Sequence, residues 1–428
     1  MNQSIDRSSL KNIISDSIDR ILDYKYVRDI YNSENINILS FITNLPNINL
    51  LLAEVMEIDN SYDYEEVIYK NLSLISKYSS KCFGGISSFY GLTHMGYGAM
   101  IGKESEKINN EHLKPFNKII NEYIPRHLNN MSKYKLKEFE CIRGLSGVGR
   151  YLINFLDDKD SLTNIKLILK NTIEFVNYKK SFNGVELPSF YVPREELHES
   201  AVLEYSMGRI DLGVSHGISG ILSFLSLAYI NGIEVDGQKE SIEYICKYLY
   251  KYKNVNGGLL YWPGAITFED YISNRINYDY GRPSWCYGSA GISRALYLAG
   301  TSIDNKEYIN DSVKSIIENS KLSGENNFFI SPTFCHGYSG LIHIVNLFKE
   351  EINNDEYNVI QKNILNKILS FMNPQAKFMF NEFDKYDNSK VIDINNMSIA
   401  EGITAILLPL VSLIKKSKYS WDGIFLIN

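Results

Sequence analysis

The chain repeats one local pattern, a turn centred on glycine that is followed at once by an apolar run. It occurs at Gly91-Leu-Thr-His-Met-Gly, Gly144-Leu-Ser-Gly-Val-Gly, Gly217-Ile-Ser-Gly-Ile-Leu, Gly288-Ser-Ala-Gly-Ile-Ser, Gly337-Tyr-Ser-Gly-Leu-Ile and Gly402-Ile-Thr-Ala-Ile-Leu. Successive turns lie about 50 to about 75 residues apart, so they are repeats with insertions of variable length. Each apolar run predicts a buried helix that begins at the glycine turn.

Between the glycine turns, the sequence predicts a second kind of helix, which is amphipathic. Apolar residues at helical spacing are Leu113, Phe116, Ile120 and Ile124; Ile242, Ile245, Cys246 and Leu249; Ile309, Val313, Ile316 and Ile317; and Ile360, Ile364 and Ile368. Half-exposed helices that alternate with apolar helices fit a double ring, with the amphipathic set outside and the apolar set inside. We therefore predict an all-α fold, an α/α toroid, with the glycine turns gathered at one end of the inner ring.

One segment departs from the helical pattern. Ser181–Pro193 is short, extended and interrupted by prolines, which predicts a small β-containing insertion at about residues 178–205. No linker rich in Gly, Ser or Pro divides the chain, so we interpret residues 1–428 as a single toroid domain with this insertion. The residues before the first glycine turn are expected to be helical and to complete the first hairpin of the ring.

Composition and charge narrow the class of protein. The net charge of -6, without a basic stripe, argues against a nucleic-acid binder that depends on phosphate contacts. No run approaches the roughly 18 apolar residues of a membrane span, and the N-terminal residues show no apolar signal core. Five cysteines, an odd number without a secretory signal, do not resemble a disulfide framework. We expect a cytoplasmic protein.

Two glycine turns carry cysteine at the same offset. Cys335 stands two residues before Gly337, with His336 between them, and Cys286 stands two residues before Gly288. Neighbouring residues on a regular helix project about 100° apart, so two adjacent ligands to one ion need a turn or a helix start. Exposed N–H groups at a helix start also favour a thiolate.

Cys286, Cys335 and His336 form a Cys₂His set, and three protein ligands with an open fourth position are the arrangement of a catalytic zinc site. We predict one Zn²⁺ on these residues. The alternative is that the cysteines are simple core residues, which is the interpretation given to Cys246 and left open for Cys82 and Cys141.

Three motifs follow one another in the order Asp211-Leu-Gly-Val-Ser-His-Gly-Ile-Ser-Gly220, Trp285-Cys-Tyr-Gly288 and Phe334-Cys-His-Gly337. In this order the chain resembles the lanthionine synthetase C-like family, the lantibiotic cyclases, over about residues 80–410. The resemblance implies a toroid of about seven helical hairpins with a small inserted domain. It also implies that a single zinc ion is held by Cys286, Cys335 and His336.

The activity implied by the resemblance is the formation of lanthionine or methyllanthionine thioether rings in a precursor peptide. Cysteine thiols of the peptide add intramolecularly to dehydroalanine or dehydrobutyrine, which derive from Ser and Thr. A free thiol has a pKa of about 8.5, and zinc makes it a thiolate. The enolate that results must be protonated at Cα, which requires a positioned acid/base. The family also suggests a dehydratase and an export transporter as partners, in a complex peripheral to the membrane.

Three further residues are candidates for catalysis. His216 is the predicted general acid/base, and its alternative is a histidine that is hydrogen-bonded at a helix start. Arg282 matches a family arginine and is predicted to stabilise the enolate charge, unless it is a surface arginine paired with Asp279. Glu140 occupies the position of a family aspartate and is predicted to polarise His216 or assist proton transfer, unless it is exposed. We interpret Tyr287 as a packing residue.

Two other functions stay open at this stage. A zinc-retaining relative that binds thiols or peptides, or adds glutathione, would keep the fold without forming rings, and the change from Asp to Glu at Glu140 favours it. A protein prenyltransferase β-type subunit also combines an α/α toroid with zinc and a substrate thiol. Its ligand set is Asp, Cys and His, however, and it lacks the repeated cysteine-containing glycine turns.

Overall fold

The computed structural model describes residues 6–428 apart from residues 38, 104, 106–107, 109–111, 326–328, 386 and 388, and apart from the side chains of residues 200 and 325. Residues 1–5 of the predicted domain therefore lie outside the described part of the chain. The α helices are α1 (Arg7–Leu22), α2 (Tyr24–Ser33), α3 (Leu39–Val55), α4 (Tyr64–Cys82), α5 (Leu92–Gly98), α6 (Leu113–Asn130), α7 (Leu145–Leu152), α8 (Lys159–Asn177), α9 (Glu199–Val202), α10 (Ile218–Ile230), α11 (Gln238–Lys251), α12 (Phe268–Ile272), α13 (Ser289–Ile303), α14 (Lys306–Glu325), α15 (Tyr338–Glu351), α16 (Glu356–Leu369) and α17 (Thr404–Ile414).

Short strands and 3₁₀ segments complete the described elements. The strands are β1 (Lys179–Phe182), β2 (Val185–Pro188), β3 (Tyr191–Val192), β4 (Arg209–Asp211), β5 (Asn254–Asn256), β6 (Leu259–Tyr261), β7 (Ala265–Thr267), β8 (Asn381–Phe383) and β9 (Val391–Asp393). The 3₁₀ segments are Met100–Lys103, Leu136–Glu138, Ile153–Phe155, Arg194–Glu196 and Trp421–Phe425.

The amphipathic segments form helices that bury one face. The four that the sequence predicted are α6, α11, α14 and α16. A further amphipathic helix is α8. Its N-cap residue is Asp158, whose carboxylate accepts the backbone N–H of Ser161 at 3.1 Å. Its buried residues recur at helical spacing and include Ile165, Ile168, Leu169 and Thr172. The opposite face, with its lysines, stays in solvent.

The apolar helices begin at the glycines that the sequence singled out. Gly91, Gly144, Gly217, Gly288 and Gly337 are the N-cap residues of α5, α7, α10, α13 and α15. The sixth turn differs by one residue, because Ile403 rather than Gly402 caps α17. Along α10, each residue from Ile218 to Ala228 is buried, so the helix has no solvent face.

The described residues form two compact units. The first comprises those within Met1–Gly85, Tyr90–Lys118 and Ser320–Trp421, and the second comprises Ile86–Phe89, Ile119–Asn319 and Asp422–Asn428. In the first unit, α3 packs on α4 and α5, and α15 packs on α16 and α17. In the second unit, α10 packs on α7, α11 and α13, while α8 packs on α7 and α11.

The predicted extended segment holds strands. β1 and β2 form an antiparallel hairpin in which Lys179 pairs with Pro188. β3, β4 and β7 form a three-stranded antiparallel sheet in which Tyr191 pairs with Ile210, which pairs in turn with Ile266. The sheet therefore joins the extended segment to two strands that lie later in the chain.

The last residues of the chain are buried in the second unit. Ile424, Phe425, Leu426 and Ile427 are each 0 % exposed. Two arginines from the apolar helices hold this segment: Arg294 donates to the carbonyl oxygen of Ile427 at 2.6 Å, and Arg150 to that of Asn428 at 2.5 Å. Deletion of this segment would open the core between α7 and α13.

Candidate active site

The turn before α13 fixes the position of Cys286. Gly288 has an extended backbone (φ -141°, ψ 175°), yet a Cβ on it would lie 2.2 Å from the carbonyl oxygen of Arg282. Glycine is needed here for close packing of the turn rather than for its φ angle. Trp285 is fully buried, and its indole N–H donates to the carbonyl oxygen of Phe425 at 3.0 Å. Cys286 is thus held between a glycine turn and a buried anchor.

The turn before α15 has the same construction. A Cβ on Gly337 would lie 2.5 Å from the carbonyl oxygen of Ser331. The backbone N–H of Cys335 donates to the carbonyl oxygen of Ala400 at 2.9 Å. Backbone contacts therefore position both cysteine turns.

The three predicted zinc ligands are divided between the two units. Cys286 is buried in the second unit, and Cys335 and His336 are partly buried in the first. Two thiols and one imidazole are the soft donors that zinc accepts and that magnesium or calcium does not prefer. The chemistry of these three side chains therefore fits zinc.

A carboxylate lies beside His336. The Oε1 atom of Glu401 is 3.6 Å from Nδ1 of His336. Metal-binding histidines commonly have a carboxylate or a carbonyl near the ring nitrogen that does not bind the metal. Glu401 is therefore close enough to orient the His336 ring.

His216 and Glu140 form a pair. Nδ1 of His216 lies 3.2 Å from Oε2 of Glu140, and the Glu140 side chain is 2 % exposed. The carboxylate also accepts the backbone N–H groups of Ile142 at 2.6 Å and Arg143 at 2.7 Å. The alternative of an exposed Glu140 is therefore excluded, and the longer side chain does reach His216.

The environment of His216 favours its protonated form. Partial burial lowers its pKa, but the hydrogen bond and the negative charge of Glu140 raise the pKa by more, so it lies above the ordinary value. The ring is 42 % exposed, which leaves it accessible to a substrate. His216 is thus a half-exposed imidazole with a buried carboxylate behind it.

A cavity of about 170 Å³ lies in front of His216 and Glu140. Three of its lining residues form a network: Arg209 donates from Nη2 to Asp211 at 2.7 Å and to the Tyr287 hydroxyl at 2.9 Å. Asp211 is 1 % exposed, so its charge is balanced chiefly by Arg209.

Close contacts join the turn that carries His216 to the turn that carries Cys286. The backbone N–H of Val214 donates to the carbonyl oxygen of Cys286 at 2.9 Å. A Cβ on Gly217 would lie 2.5 Å from Oδ1 of Asp211. The turn that carries His216 and the turn that carries Cys286 are therefore neighbours.

Sequence reasoning gave no role to Arg209 or Asp211 and interpreted Tyr287 as packing. The sequence does contain a signal for Arg209 and Asp211. Residues two apart on a strand share a face, and Arg209–Asp211 is the whole of β4. Arg282, by contrast, is exposed, and the cations that line the cavity around His216 are Arg209, Arg143 and Lys137. The role of Arg282 in stabilising the enolate charge stays a prediction.

In the part of the chain that the structure describes, no helix combines the length and the apolar composition that crossing a bilayer requires.

Comparison with known proteins gives a consistent result. A family model described as lanthionine synthetase C-like protein matches residues 39–426. The nisin biosynthesis protein NisC of Lactococcus lactis subsp. lactis is 26% identical over 372 residues, which are 83% of this chain and 86% of that protein. The solved structure of nisin cyclase has a TM-score of 0.74 at 23% identity and covers 89% of this chain and 90% of its own. The likeness confirms the predicted fold class, an α/α toroid with a small β-containing insertion.

Proposed function

Because the chain belongs to the lanthionine synthetase C-like family, we propose that it forms lanthionine and methyllanthionine rings in a dehydrated precursor peptide. In this reaction a cysteine thiol of the peptide adds to dehydroalanine or dehydrobutyrine of the same peptide. The observation that carries the proposal is the His216–Glu140 pair, whose turn is hydrogen-bonded to the turn that carries Cys286.

Cys286, Cys335 and His336 would hold one zinc ion, with a fourth position left for the substrate. Zinc bound there would lower the pKa of a peptide thiol so that it reacts as the thiolate. Glycine turns carry the three proposed ligands, Cys286 before α13 and Cys335 with His336 before α15.

The remaining chemistry is proton transfer. The thiol gives its proton to solvent, the sulfur forms a bond to Cβ, the C=C π bond is broken, and the enolate gains a proton at Cα. Because Nδ1 of His216 faces a carboxylate, it keeps its proton, and Nε2 is the nitrogen that delivers the proton to Cα. Glu140 orients the ring and stabilises the imidazolium. Arg282, exposed four residues before Cys286, is the proposed partner of the enolate charge.

The non-cyclising alternative loses its main support. It rested on the longer side chain of Glu140, and that side chain contacts His216 at 3.2 Å. The predicted cytoplasmic location and the predicted partners, a dehydratase and an export transporter, remain predictions.

The first test is the metal content of the purified chain by elemental mass spectrometry. We expect about one zinc per chain, and a loss of zinc in Cys286→Ala, Cys335→Ala and His336→Ala. Cys82→Ala is the matched control, because this partly buried cysteine lies at the end of α4 and is not one of the three proposed ligands. The Cys82→Ala protein should keep its zinc. A folded parent protein without zinc would contradict the proposal.

The second test is the reaction itself. With a dehydrated peptide that contains cysteine, we expect free thiol to disappear without a change in peptide mass, because the addition is intramolecular. The reaction should slow strongly in His216→Ala although the zinc content stays at the parent level. If thiol is lost only when glutathione is present, and the peptide gains its mass, the protein is a glutathione-adding relative instead.

A further inference from the structure

A second cavity, of about 550 Å³, adjoins the cavity in front of His216. Three segments of the second unit line it: residues 132–135 after α6, residues 178–182 at β1, and residues 191–196 after β3. Glu196 lines both cavities. Lys135 and Pro193 line the second cavity, and their chain neighbours Leu136 and Val192 line the cavity in front of His216. The two cavities are therefore neighbours that share Glu196 as a wall.

The ammonium group of Lys180 lies in this second cavity. Its Nζ atom donates to the carbonyl oxygen of Tyr191 at 2.7 Å, and the side chain is partly buried. Lys179, one residue earlier on β1, turns the other way and donates to the hydroxyl of Tyr244 at 2.6 Å. The alternation along the strand thus directs Lys180, and not Lys179, into the cavity.

Lys180 lacks a carboxylate partner among the residues that the structure describes. Lys135, which also lines the cavity, is paired with Glu196 at 2.8 Å. A lysine ammonium has three N–H donors, and one carbonyl oxygen satisfies only one of them. Burial lowers the pKa of Lys180 to about 8, against the opposing charge of Glu196, so the group stays largely protonated at neutral pH. A partly desolvated cation that has no carboxylate bonded to it, and whose neighbour Glu196 is already paired with Lys135, favours a carboxylate ligand.

The wall beside Lys180 is aromatic. Tyr134 and Tyr178 stack with ring centroids 3.8 Å apart, and each is 38% exposed. Phe182 and Pro193 add apolar surface to the same cavity. A volume of about 550 Å³ is far larger than a single carboxylate requires, and it suits several side chains of an extended peptide.

We propose that this cavity binds an acidic segment of the precursor peptide, whose Asp or Glu carboxylate pairs with Lys180 while neighbouring apolar side chains pack on Tyr134 and Tyr178. The proposal rests on the proposed function for the identity of its ligand. Because the cavity shares Glu196 with the His216 cavity, this segment would lie near the ring that is being closed. The cavity then holds the peptide between successive additions without taking part in the chemistry.

The test uses two peptides, acetyl-Gly-Leu-Glu-Leu-Gly-amide and its Gln analogue, which contain no Cys, Ser or Thr. Calorimetric titration of the full-length protein should show that the Glu peptide binds about tenfold more tightly than the Gln peptide, as expected for a charge-assisted hydrogen bond. The preference should disappear in Lys180→Met and persist in the matched control Lys179→Met. The comparison of two peptides on the parent protein needs no substitution, so it does not depend on the stability of a variant.

Each outcome decides one question. Equal binding of the two peptides, or an undiminished preference in Lys180→Met, would overturn the proposal. Acetate that binds as tightly as the Glu peptide would also overturn it, because the cavity would then be a simple anion site. Because the peptides cannot be cyclised, a preference that depends on Lys180 supports the cavity even in a protein that forms no rings. Ring formation without that preference leaves the proposed function intact and rejects this inference.

Discussion

The substitution Glu140→Gln tests the buried carboxylate behind His216. Glu140 accepts two backbone N–H groups, one on each oxygen, and also faces Nδ1 of His216. Glutamine has nearly the same shape but presents one oxygen and one NH₂ group. The oxygen can keep one backbone N–H, and the NH₂ group must then face the other backbone N–H, which is a donor as well.

The expected loss of stability follows from these contacts. The Glu140 side chain is 2 % exposed, so water does not replace the lost acceptor. A hydrogen bond to a charged group contributes about 1.5–3 kcal/mol, and an orphaned buried N–H costs about 1–3 kcal/mol. Because the two contributions overlap, we expect Glu140→Gln to lower the free energy of unfolding by about 3 kcal/mol. His216→Ala should lower it by less than about 1 kcal/mol, because the imidazole is half exposed and solvent screens its pairing.

Urea titrations of the parent and both variants, followed by circular dichroism, measure these differences, provided that the slope of the transition is unchanged. The pH dependence supplies an independent check. Glu140 raises the pKa of His216 in the folded state, so their pairing stabilises the protein fully below the ordinary histidine value and is lost as pH rises through the raised value. The loss in Glu140→Gln should therefore be larger at about pH 5.5 than at about pH 9. A loss no larger than that of His216→Ala, or one that is the same at both pH values, would refute the reasoning.

Three further predictions follow from the same structure. Glu54→Gln should destabilise the protein by about 3–5 kcal/mol in urea titrations, because the carboxylate is 1 % exposed and is paired with Lys415 at 3.0 Å. Gly288→Ala should lower both the melting temperature and the zinc content, since its Cβ would lie 2.2 Å from a carbonyl oxygen in the cysteine turn. The cyclisation rate should fall as pH rises through the raised pKa of His216, and Glu140→Gln should move that fall to lower pH, as a pH–rate profile would show.

The helix starts could be predicted because their signals lie within short stretches of sequence. A glycine before an apolar run marks a helix start wherever a Cβ would strike the preceding turn, as it would at Gly144, where the backbone nitrogen of Glu140 is 2.5 Å away. Cys286 and Cys335 occupy the same offset from such a glycine, so equivalent turns carry both thiols. The zinc site that this repeated offset suggests stays a prediction.

The surroundings of the site depend on pairings that no short stretch of sequence records. Arg209 and Asp211 line the cavity only because β4 is the central strand of its sheet. Its neighbours in the sheet are β3, which precedes β4 in the chain, and β7, which follows it. Lys179 and Lys180 are adjacent residues of the same type on β1, and they differ only in the face of the strand that they occupy. Strand register decides which of two adjacent lysines faces the cavity, and a shift by one residue would exchange them. The chemistry of the proposed reaction is therefore expected to follow from local motifs, whereas recognition of the peptide is expected to depend on register and to vary among proteins that share those motifs.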